Sequence, residues 1–287
     1  MSRPLRAALV AAIAVAALSS CSSGAAPGTS SDAQTVDPAS DHLAADPLTA
    51  VRSAADITGH NGYLQDVTTL RTVSATKQMT LHGTGAYDYG AHLGRVQVAV
   101  PAGSGTSAPG HLNEVVSPGV VYLQNSGAKV PAGKWIKLQV QQLGDGNLVS
   151  SGATDPASAS DALRGAETAT LVDTSTVGGT VLKHYRGTLD LAAAAKAAAG
   201  PAAVGLALAS HTFTVKKVPY DVWLDEHGRI NKVVEVFTFA QVAGSTAAKD
   251  QVRVTSTSEF SAFGTPVRIE TPAQGDIVAP SAAAGSK

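Results

Sequence analysis

Few residues in this chain have types and spacings that could carry chemistry. Its 287 residues include one cysteine and eight histidines. Cys21 closes the run Leu18-Ser19-Ser20-Cys21: an aliphatic residue, two small residues, then the thiol. Small side chains ahead of a cysteine suit the narrow site of a signal peptidase. The thiol is the group that takes a thioether-linked diacylglycerol. The run is a lipobox, and it predicts cleavage before Cys21 and a lipid anchor on it. Two acyl chains (palmitate-type), with a third on the amine, hold a protein stably where a single chain is marginal. An ordinary signal peptide with a stray cysteine is the competing reading.

The other constellations are weaker. Ser74-Ala75-Thr76-Lys77 matches the S-x-x-K pattern of serine acyl enzymes, which needs both residues on one face of a helix. Here it falls in Thr69–Leu81, a strand-like stretch, where positions i and i+3 point to opposite faces. No Ser-Asp-Asn or Lys-Thr-Gly accompanies it. No two histidines stand at the spacing of a zinc-binding helix. Asp145-Gly146-Asn147 resembles a fragment of a calcium loop without its remaining oxygen ligands, so it reads as a turn. Gly83-Thr84-Gly85 lacks the third glycine and the strand-to-helix setting of a dinucleotide site. No catalytic residue, metal site or cofactor is expected, and the chain does not read as an enzyme.

Composition narrows the class further. Lys+Arg 21 against Asp+Glu 22 leaves a net charge of -1, which argues against nucleic acid as a partner. Aromatic residues are 5%, too few for a row of stacking platforms. Hydrophobic residues are 44%, enough for a sizeable core. Arg3 and Arg6 precede the apolar run Ala7 to Leu18. At about a dozen residues this run is short of the roughly 20 that span a bilayer, so it reads as a signal peptide. The expected organisation is a signal peptide at 1–20, a polar tether at 21–45, one folded domain at 46–272 and a disordered tail at 273–287.

The elements that must position any site follow from caps and periodicity. Asp46-Pro47 and Asp155-Pro156 each pair a capping carboxylate with a proline suited to the first helical position. They open helices that end near Gly59 and Gly165. Gly200-Pro201 splits an Ala-rich helical run after Asp190. Strands are expected at Leu93–Val100, Asn113–Ser117, Val120–Leu123, Lys134–Val140, Thr168–Asp173, Thr180–Asp190 and Gln251–Phe260. The clearest hairpin is Val218–Phe239, with a type I turn at Glu226-His227 and Gly228 left-handed. That turn predicts Leu224 beside Ile230, Tyr220 beside Val234 and Val218 beside Val236. Val218, Tyr220, Val222, Leu224, Val234 and Val236 would then share one apolar face. The pattern is α+β: a large curved antiparallel sheet with helices gathered on one face.

With these segments in order, the chain resembles the actinobacterial lipoproteins of the LppX/LprA/LprF/LprG kind, which share the LolA/LolB-like fold. The lipobox at Cys21 is followed by Val121-Tyr122-Leu123 and then Gly133-Lys134-Trp135-Ile136-Lys137-Leu138. Next come Asp155-Pro156, Val177-Gly178-Gly179-Thr180 leading to Tyr185-Arg186-Gly187, and Val218-Pro219-Tyr220-Asp221-Val222-Trp223-Leu224-Asp225, closed by Gly228-Arg229-Ile230. The resemblance implies a half-barrel of antiparallel strands with helices closing its concave face over an apolar cavity for lipid or acylated glycolipid. On that reading the six hairpin residues are candidates to line the cavity; solid core is the alternative. The expected protein sits on the extracytoplasmic face of the cell membrane, held by the Cys21 diacylglycerol, and binds or transports lipid. The competing function is an envelope interaction or sensor module with no lipid ligand.

Overall fold

A computed structural model describes residues 46–101, 110–126, 130–240 and 245–279. The chain runs through α1 (Pro47–Gly59), β1 (Tyr63–Val73), β2 (Gln78–Asp88), β3 (Leu93–Val100), β4 (Gly110–Ser117), β5 (Val120–Gln124) and β6 (Trp135–Gln139). It continues through α2 (Pro156–Ala162), β7 (Ala166–Val177), β8 (Thr180–Asp190), α3 (Leu191–Ala197), α4 (Gly200–Thr212), β9 (Lys217–Leu224), β10 (Ile230–Ala240), β11 (Gln251–Ser261) and β12 (Ile277–Val278). Among the described residues, the strands form one open, curved sheet in the order β12-β6-β5-β4-β3-β2-β1-β11-β10-β9-β8-β7. Every pairing is antiparallel except β12 on β6.

Three helices start on the residues their sequence marks. Asp46 accepts hydrogen bonds from the N–H groups of Leu48 and Thr49, and Asp155 from those of Ala157 and Ser158. Asp190 accepts from Ala193 N–H at 2.8 Å and opens α3. The helices pack on the inner face of β7–β11. There Val51, Ala54, Ala159, Leu163, Leu206 and Ala209 meet Leu189, Val218, Tyr220, Val222, Leu224, Val233 and Phe237. Phe213 stacks on Phe237 at 4.9 Å between centroids and ties the end of α4 to the sheet.

Three expectations change. Thr69–Leu81 is not one strand but parts of two, β1 and β2, joined at Ser74–Lys77. The Ser74 N–H donates to the Lys77 carbonyl at 2.8 Å, and the Lys77 N–H donates to the Ser74 hydroxyl at 3.1 Å, which closes the turn. The β9–β10 turn forms as expected, with Gly228 at φ +79° and its N–H donating to the Asp225 carbonyl. Leu224 does pair with Ile230, but a bulge at Asn231 then adds one residue to β10. Tyr220 therefore faces Glu235, Asp221 faces Val234, and both Val234 and Val236 turn to the outer face. Lastly, the segment from Ala273 is not a free tail as far as Val278. It makes one 3-10 turn and pairs β12 with Trp135 and Ile136 of β6, while Lys134 Nζ bonds Asp276 at 2.8 Å.

Candidate functional site

Cys21, with the whole of residues 1–45, lies outside the described residues. The other sequence candidates have definite places. Ser74 and Lys77 form the β1–β2 turn, where the serine hydroxyl bonds backbone. Asp145 spends its carboxylate on the N–H groups of Asn147, Val149 and Ser150, so Asp145-Gly146-Asn147 is a turn that holds its own loop. His184 lies between Asp221 at 2.6 Å and Asp173 at 3.3 Å on the outer face and stacks on Trp223. No group of three or more His, Cys, Asp or Glu among the described residues could hold a metal ion.

None of the six expected cavity residues lines the two openings of the inner face. Val218, Tyr220, Val222 and Leu224 are at most 1% exposed and are packed under the helices. The Tyr220 hydroxyl is satisfied by the Thr168 carbonyl at 2.8 Å. Val234 and Val236 face the other way, because of the Asn231 bulge. This half of the inner face is filled.

The open space lies on the other half, over β2–β5, under the segment 143–155. An apolar pocket of about 240 Å³ is lined by Met79, Leu81, Val98, Val100, Leu112 and Leu123. Ser150, Ser151 and Gly152 border it. A Cβ on Gly152 would come within 3.2 Å of Leu81 Cδ1, so the glycine lets the loop lie close without filling the space. A second cleft, of about 350 Å³, opens between the C-terminal end of α1, α2, the start of α4 and the near ends of β2 and β4. Its walls include Tyr87, Val116, Asn147, Asp155, Asp161 and Arg164. Arg164 is held by Asp161 at 2.6 Å and Asp56 at 2.8 Å.

Between the two openings runs a buried polar row. Asp66, Gly85, Val96 and Glu114 are successive cross-strand partners on β1 to β4. A Cβ on Gly85 would stand 2.6 Å from Asp66 Oδ1, so the Asp66 carboxyl occupies the space above that glycine. Glu114 Oε1 accepts from Asn147 Nδ2 at 2.8 Å. Burial pushes the Glu114 carboxyl up to about 7, with Asn147 and Ser151 pulling it back and the nearby Asp155 and Asp145 adding to the rise. Burial also raises Asp66 to about 7, reinforced by the charges of Asp155 and Glu114. Glu235, on the filled side, is pushed to about 8 by burial alone. Among the described residues, both oxygens of Asp66 and Glu235, Glu114 Oε2, Asn147 Oδ1, and the hydroxyls of Thr68 and Ser258 have no hydrogen-bond partner.

Sequence reasoning missed the pocket and this row. The alternation of Val96, Val98 and Val100 was visible, but its facing partners lie far away along the chain. The available signal for the row was a lone acid at an inward position, Asp66 between Leu64 and Thr68 on β1 and Glu114 between Leu112 and Val116 on β4.

No family model matches the chain, and no curated protein matches it. Solved structures do. LppX of Mycobacterium tuberculosis is 10% identical, covers 79% of this chain and 100% of its own, and has a TM-score of 0.46. LprF of Mycobacterium bovis is 12% identical over 79% of this chain and 97% of its own, with a TM-score of 0.41. A LolA superfamily protein of Nitrosomonas europaea is 12% identical over 76% of this chain and 92% of its own, with a TM-score of 0.31. Lipoproteins of the kind the sequence motifs resemble are among these neighbours.

Proposed function

We propose that this chain is a lipid-anchored protein of the cell envelope that holds the acyl part of a lipid or acylated glycolipid on the inner face of β2–β5. The observation that supports this most is the pocket of Leu81, Val98, Leu112 and Leu123. It is apolar, walled by strands below and by a glycine-bearing loop above, and the described residues leave it unfilled. Empty apolar space of this kind suits an alkyl chain, and pockets of this order of size hold small ligands. The lipobox supplies the membrane tie. The protein acts as a carrier or holder, with no catalytic constellation assigned.

The test has two parts. Cys21→Ala should prevent acylation and release the chain or leave the precursor uncleaved; labelled fatty acid still entering the variant refutes the anchor. Native mass spectrometry after mild purification should show a lipid adduct that Val98→Phe removes. A wild type without adduct favours the second reading, an interaction module. One observation supports that reading: β7 is an edge strand with Leu171, Val172 and Val177 45–61% exposed, a ready surface for another chain.

A further inference from the structure

Along β4, one buried side chain stands between the two openings of the inner face. Glu114 sits on β4 between Leu112, which lines the apolar pocket, and Val116, which lines the polar cleft. Its carboxyl accepts from Asn147, a wall of the cleft, and feels the hydroxyl of Ser151, a wall of the pocket. The same ordering holds on β2, where Leu81 lines the pocket, Tyr87 lines the cleft, and Gly83 and Gly85 lie between them without side chains.

The atoms left unpaired around this junction are of one kind. Asp66 Oδ1 and Oδ2, Glu114 Oε2 and Asn147 Oδ1 belong to side chains that are each 2% exposed, and all are oxygens that accept. Thr68 and Ser258 add hydroxyls, and no nitrogen is among these unpaired atoms. A buried acceptor left unmade is costly, and the four carboxyl and amide oxygens outnumber the two hydroxyls, so the complement this junction lacks is a hydrogen-bond donor. A phosphate or carboxylate headgroup brings further acceptors to a place already rich in them. A hydroxyl brings a donor and can also accept from a protonated carboxyl.

We infer that the junction at Glu114 and Asn147 reads the headgroup of the bound lipid and selects an uncharged, hydroxyl-bearing headgroup over an anionic one. The chain lies in the apolar pocket and the headgroup turns toward the cleft past Glu114. This rests on the lipid-holding reading above and names which lipids fit it. Glu114 is the specificity residue, and Asn147 positions its carboxyl. The raised pKa of Glu114 and Asp66 supports the choice of a neutral hydroxyl over an ammonium, because carboxyls protonated near neutrality offer little charge to attract a cation.

The experiment uses the full chain carrying Cys21→Ala, so that its own anchor cannot occupy the pocket. Titration calorimetry at neutral pH compares monolauroylglycerol with lauryl phosphate, which share one alkyl chain. Monolauroylglycerol should bind on the order of tenfold tighter or better. Glu114→Leu removes both acceptors and frees the Asn147 amide as a donor, so the preference should collapse or invert. Glu114→Gln keeps the shape while adding a donor and should narrow it, which covers the case where the leucine variant folds poorly. Equal binding of both probes by the starting protein, or tighter binding of the phosphate, overturns the headgroup inference and leaves lipid holding intact. A preference untouched in both variants also overturns it. Binding of neither probe refutes the lipid reading itself.

Discussion

The β7–β11 half of the sheet and the β2–β5 half share one inner face and differ in what covers it. Over β7–β11, the helices and the turn after α2 bring Val51, Ala54, Leu163, Leu206 and their neighbours down onto large side chains in one packed core. Over β2–β5 the cover is mostly the segment 143–155; at the pocket its residues are small, Ser150, Ser151, Gly152 and Ala153, while Leu143 packs beside it on Val121, Leu123 and Ile136. A helix projects a ridge of side chains that interlocks with a sheet, whereas a loop held by its own Asp145 carboxylate need not. The difference teaches where to look for a ligand. The more strongly apolar strands are the worse candidates, because their apolar character is already satisfied by the helices.

The largest test of this contrast is pH. Glu235 lies in the packed half, 1% exposed, with neither oxygen bonded among the described residues. Its folded pKa of about 8 stands above the ordinary 4.5. Between those values the folded state keeps a proton that the unfolded state gives up. Stability from this group is therefore full below about pH 4.5 and is lost as pH rises toward 8. A tenfold difference in proton affinity between the two states is worth about 1.4 kcal/mol, so the loss amounts to a few kcal/mol. Glu235→Gln should flatten the fall in melting temperature between pH 5 and 8 and raise the value at pH 8. A wild-type melting temperature that climbs over that range refutes the buried, unpaired placement.

Overpacking separates the halves next. Val222 is 0% exposed among the helices, so Val222→Phe has no room for its ring and should cost about 1–3 kcal/mol. Val98 is equally buried but borders the pocket, so the ring of Val98→Phe can enter that space. Its cost should be under about 1 kcal/mol, with bound lipid lost. Thermal melts with lipid extraction on both variants check this. Equal destabilisation would erase the distinction between the halves.

What could be read from the sequence was local. The Asp46-Pro47 and Asp155-Pro156 starts, the break at Gly200-Pro201 and the turn at Gly228 each depend on a few adjacent residues, and each stands as expected. The register beyond the turn was not legible. β10 carries the apolar doublets Val233-Val234 and Val236-Phe237, so either face reads as apolar. An acid inward is the costlier arrangement by pattern alone, yet Asn231 bulges and Glu235 goes in. The pocket was illegible for a different reason. It needs Leu81, Val98, Leu112 and Gly152, brought together from three strands and a loop.

The smallest expected effect concerns how each half is pinned at its turns. Gly228 and Gly119 both close antiparallel pairs with positive φ, at +79° and +72°. A valine at either position strains the left-handed backbone by about 1 kcal/mol. Their surroundings differ. The Gly228 turn docks on α1: the Ile230 N–H donates to the Thr58 hydroxyl at 2.9 Å, and a Cβ on Gly228 would stand 3.0 Å from Ile57 Cδ1. Nothing lies within 4 Å of a Cβ on Gly119. Gly228→Val should therefore cost the backbone strain plus the displacement of Ile57, and Gly119→Val the strain alone. Melts should place Gly228→Val below Gly119→Val by about one or two degrees, what a fraction of 1 kcal/mol gives in a domain of this size. The reverse order would mean that the turn is not held against α1, and that the filled half owes its closure to the strands rather than to the helices above them.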